Sequence, residues 1–89
     1  MTGPRVEITY CTRCKFLLRG AWLAQELLTT FESELDEVAL RPASGGVFEV
    51  RLNCEVIASN ADGGATPDPA QVKRQLRDLI APGRQIGHD

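Results

Sequence analysis

No stretch of the chain approaches the ~20 consecutive apolar residues that a membrane-crossing helix needs. The N-terminus, Met1-Thr2-Gly3-Pro4-Arg5, runs straight into alternating residues and carries no apolar core of a secretory signal. A basic excess is also missing. Ten lysines and arginines are scattered among twelve aspartates and glutamates, for a formal net charge of -2, which argues against a nucleic-acid partner. Lys73, Arg74 and Arg77 do cluster, but opposite an apolar helix stripe they read as a solvated face. Cysteine is scarce: there are three residues, an odd number, and two of them are three positions apart. That pattern excludes the disulfide framework of a small secreted protein and suits a reducing compartment. The expectation is a cytoplasmic chain with neither a membrane nor a nucleic-acid partner. No internal repeat or low-complexity segment is present.

What is present fits one domain spanning residues 1–89, with 43% hydrophobic and 25% charged residues. Val6, Ile8 and Tyr10 alternate with Glu7 and Thr9, predicting a strand over 5–10. From Phe16 to Phe31 the apolar residues recur at three- and four-residue spacing. They include Leu17, Leu18, Trp22, Leu23, Leu27 and Leu28, predicting a long, well-buried helix with Trp22 in the core. Gly20 interrupts it, and close packing against a sheet is the expected reason. Residues 37–41 form a short strand stopped by Pro42. Val47-Phe48-Glu49-Val50-Arg51-Leu52 alternates again. Asn53-Cys54 reads as a two-residue hairpin turn into the strand 55–58, with Cys54 where positive φ would favour glycine. Asp68-Pro69-Ala70-Gln71 reads as a capped helix start with a capping box. That helix buries Val72, Leu76, Leu79 and Ile80 and stops at Ala81-Pro82-Gly83. The order β-α-β-β-β-α predicts a thioredoxin-like α/β fold, a mixed four-stranded sheet with two helices, whose first two strands are parallel.

The chemistry sits at Cys11-Thr12-Arg13-Cys14, where the first strand gives way to the first helix. Two thiols at this spacing can close a disulfide. A helix N-terminus, helped by Arg13 and Lys15, would lower the pKa of both sulfurs and favour the reactive thiolate. A Cys-x-x-Cys can equally be half of a zinc site, but structural zinc needs four ligands. Only Cys54 and His88 remain to supply them, neither at zinc spacing. Two inert core cysteines form the third reading. The strand-to-helix position favours redox chemistry over both. Tyr10 and Phe48 read as packing, Cys54 as an incidental turn residue, and Gly45-Gly46 as a turn, with the alternative that its backbone, lying near the cysteines, receives an extended substrate strand.

Val6-Glu7-Ile8-Thr9-Tyr10-Cys11-Thr12-Arg13-Cys14, followed by the long apolar helix, resembles the selenoprotein W, T and H family, also called the Rdx family. Leu40-Arg41-Pro42, Gly45-Gly46-Val47-Phe48-Glu49-Val50 and Asp62-Gly63-Gly64 extend the resemblance, which is greatest to bacterial members. It implies a thioredoxin-like fold and thiol oxidoreductase activity. Glutathione or thioredoxin is the implied electron partner, and no metal or organic cofactor is required. Selenoprotein members carry selenocysteine at the second motif position, which here is Cys14. Two departures stand out. Gly46 precedes Val47 where thioredoxins place a cis-proline, and Ala65-Thr66-Pro67 replaces the family's Phe-Pro pair.

The resulting expectation is a thiol-disulfide oxidoreductase acting on protein thiols and disulfides through Cys11 and Cys14. Cys11 is assigned the attack and Cys14 the resolving step, with the reverse assignment as the competitor. The rival function is a redox-switched protein-binding module that does not turn over.

Overall fold

A computed structural model describes residues 3–61 and 65–86. The Asp62-Gly63-Gly64 motif and His88 lie outside the described residues. The elements run β1 (Arg5–Cys11), α1 (Leu17–Thr30), β2 (Glu37–Ala43), β3 (Phe48–Leu52), β4 (Glu55–Ser59) and α2 (Pro69–Ile80). The four strands form one sheet in the order β2-β1-β3-β4. β1 pairs parallel with β2 and antiparallel with β3, and β3 pairs antiparallel with β4. This is the mixed-sheet, thioredoxin-like α/β architecture expected from the element order.

Period-two alternation gives the sheet two unlike faces. Val6, Ile8 and Tyr10 of β1 stand beside Val50 and Phe48 of β3, and all five are buried. Both helices close this face: α1 packs on β1 and β2, α2 packs on β4, and the helices touch each other. Leu23, Leu27 and Phe31 of the α1 region and Val72 and Leu76 of α2 complete the core. The opposite face carries Glu7, Glu49 and Arg51, which are only partly buried. There Arg51 pairs with Glu49 at 3.1 Å. No helix among the described residues is long and apolar enough to cross a membrane.

Several local expectations change. Pro42 does not stop β2, which continues to Ala43. β2 is an edge strand, the place where a proline's missing N–H costs no ladder bond. In the hairpin turn the positive φ falls on Asn53 (55°), not on Cys54, and asparagine tolerates that conformation well. Asp68 precedes α2 in an extended conformation with Pro69 first in the helix, but no side-chain cap forms. Leu79 is exposed instead of buried. Trp22 is not core: it is 52% exposed, and Leu17, Leu18 and Leu28 of α1 are exposed too. The helix has apolar residues on more sides than the sheet can cover. Gly20 does pack closely, since a Cβ there would lie 3.2 Å from Leu40 and 3.6 Å from Ile8. Lys73 is not on a solvated face either. It is 5% exposed and pairs with Glu26 of α1 at 2.6 Å, joining the two helices through their contact.

Candidate functional site

Cys11 ends β1, and Cys14 lies in the turn that follows. Neither is inside α1, which begins only at Leu17. The strand end is tied on both sides: the Cys11 N–H donates to the Val47 carbonyl at 2.8 Å, and the Thr12 N–H donates to the Ala43 carbonyl at 3.1 Å. The turn closes when the Phe16 N–H reaches the Cys11 carbonyl at 3.4 Å. Lys15 adopts a left-handed φ of 58°, a conformation uncommon outside glycine and asparagine, which redirects the chain into the helix. Phe16 then packs edge-to-face on Phe48, with centroids 5.8 Å apart. The motif is thereby seated on the core.

This geometry brings the two sequence-predicted sulfurs together. Cys14 Sγ lies 2.8 Å from Cys11 Sγ, with Cys14 as donor and both cysteines free. A disulfide bond is about 2.05 Å long, so closure needs a sulfur displacement under about 1 Å. The pair is asymmetric in access: Cys11 is 1% exposed, whereas Cys14 is exposed.

It is asymmetric in acidity as well, which corrects the expectation that both pKa values fall. The Cys11 thiol is pulled below its ordinary value, first by the hydrogen bond from Cys14 and then by the backbone N–H groups of Gly46, Cys14 and Arg13. Burial opposes them. Cys14 is pushed up, first because its proton is held by Cys11, then by the partial desolvation of its sulfur and by the neighbouring charge. The stabilising groups are hydrogen-bond donors; the charges of Arg13 and Lys15, both exposed, are not among the causes. Gly46 was read as a turn residue, or as backbone near the cysteines that could receive a substrate strand, and not as a group acting on the thiol. Its contribution arises from tertiary placement, with Gly45 and Gly46 at φ of 86° and 77° and open space beside each.

Cys54 takes no part in this site. It is exposed at the hairpin tip, where the Asn53 N–H reaches the Arg5 carbonyl at the other end of β1. Six residues of extended chain, about 20 Å, separate that end from Cys11. Among the described residues no three His, Cys, Asp or Glu side chains gather as a metal ion would require.

The model of the Rdx family matches residues 5–78, which include the cysteine pair, Gly46 and most of α2. The chain belongs to the Rdx family. Two crystal structures resemble this Rdx protein over 88% of its length. A protein from Bordetella parapertussis is 47% identical, with 99% of its own chain covered and a TM-score of 0.81. A selenoprotein W-related protein from Vibrio cholerae is 42% identical, with 98% of its chain covered and a TM-score of 0.82. No curated protein sequence matches the chain. Family and fold together describe a redox-related, thioredoxin-like protein.

Proposed function

We propose that this Rdx protein is a thiol-disulfide oxidoreductase whose working groups are Cys11 and Cys14. The observation that carries the reading is the 2.8 Å approach of two free thiols, one favoured as thiolate and the other as its proton donor. Access argues that Cys14, not Cys11, is the entering sulfur, reversing the assignment made from sequence. A nucleophile must reach its substrate, and Cys11 is buried. Cys14 attacks one sulfur of a substrate disulfide while its proton passes to the Cys11 thiolate. The S–S bond of the substrate breaks, one half leaves as a thiolate, and the other half stays on Cys14 as a mixed disulfide. Cys11 then attacks the Cys14 sulfur, its proton going to the departing half. The products are a Cys11–Cys14 disulfide and two reduced substrate sulfurs. Protein disulfides are the proposed substrates. Glutathione or a thioredoxin-type dithiol restores the reduced pair, and the cycle needs no other cofactor. Such a cycle suits the reducing cytoplasm.

The test is multiple-turnover reduction of a glutathionylated peptide with glutathione as the final reductant. The intact chain is expected to turn over and Cys14→Ser to lose turnover, while Cys11→Ser, whose mixed disulfide only glutathione can release, turns over more slowly. Unchanged activity in both variants would remove the proposal. If the intact chain gives no turnover but binds a partner in only one redox state, the rival binding module replaces it.

A further inference from the structure

Asn60 follows β4 and sits opposite the glycine pair. Its side-chain amide makes two bonds to one short segment: Nδ2 donates to the Gly46 carbonyl at 2.7 Å, and Oδ1 accepts the Phe48 N–H at 3.0 Å. Its own N–H donates to the Phe48 carbonyl at 3.0 Å. The peptide group joining Val47 to Phe48 is therefore held from both ends. Its N–H is on Asn60, and its carbonyl accepts the Cys11 N–H at 2.8 Å. The preceding peptide group is held through the Gly46 carbonyl. The fixed stretch thereby holds the Val47 carbonyl that anchors the Cys11 N–H, and Gly46, at its start, is among the backbone groups that lower the Cys11 thiol. Glycine at φ 77° with open space around it has no steric restraint of its own. The restraint comes from the amide clamp.

We propose that Asn60 is a positioning residue for the thiol pair: by clamping Gly46 through Phe48 it fixes the Val47 carbonyl that holds the Cys11 N–H, and with it the strand end that carries the Cys11 sulfur. The inference deepens the oxidoreductase reading and rests on it for its functional meaning. Its geometry stands independently. The charged residues nearest Cys11 in sequence and strand register are Arg13 and Lys15 of the turn and Arg41 and Glu49 flanking Thr9. None of their side-chain charges is among the causes of the Cys11 shift; Cys14 is the ionisable side chain that is.

The experiment follows thiolate ultraviolet absorbance against pH in a Cys54→Ser background, together with the alkylation rate of the pair near neutral pH. Asn60→Ala removes both clamp bonds. Asn60→Asp keeps the acceptor for Phe48 and loses the donor to Gly46, which keeps the test alive if the alanine variant folds poorly. In both, the first ionisation is expected to move to higher pH and alkylation to slow by about threefold to tenfold, the scale of one loosened hydrogen bond. Asn60→Gln, which retains donor and acceptor, is expected to recover part of the loss. A lowered melting temperature with an unmoved titration would make Asn60 merely structural and overturn the inference. Because the titration needs no substrate, it separates the two ideas. An unmoved titration in a chain that turns over defeats only the clamp, and a moved titration in a chain that does not turn over defeats only the oxidoreductase.

Discussion

At the residue scale the Cys11–Cys14 contact divides one proton unequally. Cys11 is lowered and Cys14 raised by the same hydrogen bond, so two separated steps belonging to the pair as a whole are the expected titration. A Cys54→Ser chain is expected to show one ionisation below the ordinary thiol range and one above it by ultraviolet absorbance. A single two-proton step in the ordinary range would contradict the geometry. Cys14→Ala removes the largest stabilising contribution and is expected to raise the Cys11 midpoint, leaving the backbone donors to act against burial. The effect on folding has opposite signs at the two sites. The stability contributed by Cys11 is present above its unfolded pKa and lost as pH falls through the lower folded value. That contributed by Cys14 is present below its unfolded pKa and lost as pH rises through the higher folded value. The closeness of the sulfurs was readable from the three-residue spacing and the strand end before it. Their unequal acidity was not, because a key donor, Gly46, comes from a loop brought in by the pairing of β3 with β1.

At the element scale the helices show where a periodic pattern informs and where it misleads. Val6, Ile8 and Tyr10 were legible as a buried strand face because alternation has one solution. In α1, apolar residues occupy several sides, and nothing local tells Leu23, which is buried, from Trp22, which is not. Gly20 was legible as a close-packing residue. Gly20→Ala gains up to about 1 kcal/mol of helix propensity, and the neighbour it would press, Leu40, is 39% exposed and free to shift. Gly20→Ala is therefore expected to be neutral to slightly stabilising by urea denaturation. Gly20→Val, which adds bulk toward Ile8 and Phe48, is expected to cost about 1–3 kcal/mol. Lys73 was misread because charge alone suggested solvent. Its 6% exposed side chain faces a Glu26 that is 32% exposed, so Glu26→Ala takes a close acidic partner from the more buried charge. It is expected to cost about 1–3 kcal/mol, less than a fully buried pair, and more than Lys73→Met. Equal losses from the two changes would show that the pair behaves as a surface contact.

At the scale of the whole molecule, the sheet order β2-β1-β3-β4 explains why the site is where it is. β1 is central, its C-terminal end carries Cys11, and the flanking strands bring Ala43 and Val47 to hold that end. The element order and parallel first pair were visible in the sequence, since a β-α-β unit needs a crossover and a two-residue turn makes an antiparallel hairpin. The strand order was not, because the choice between edges depends on packing. The same topology carries Cys54 to the far end of β1, away from the motif. The central claim is thus that two sulfurs at one strand end form a complete exchange unit, with Cys14 entering and Cys11 resolving. The direct measurement is the intact mass of the chain and of its Cys11→Ser variant after mixing with a glutathionylated peptide. The account predicts a persistent mixed disulfide on Cys14 in the variant and, in the intact chain, its rapid replacement by a Cys11–Cys14 disulfide. A mixed disulfide on Cys54 alone, or one that persists equally in both chains, would contradict it.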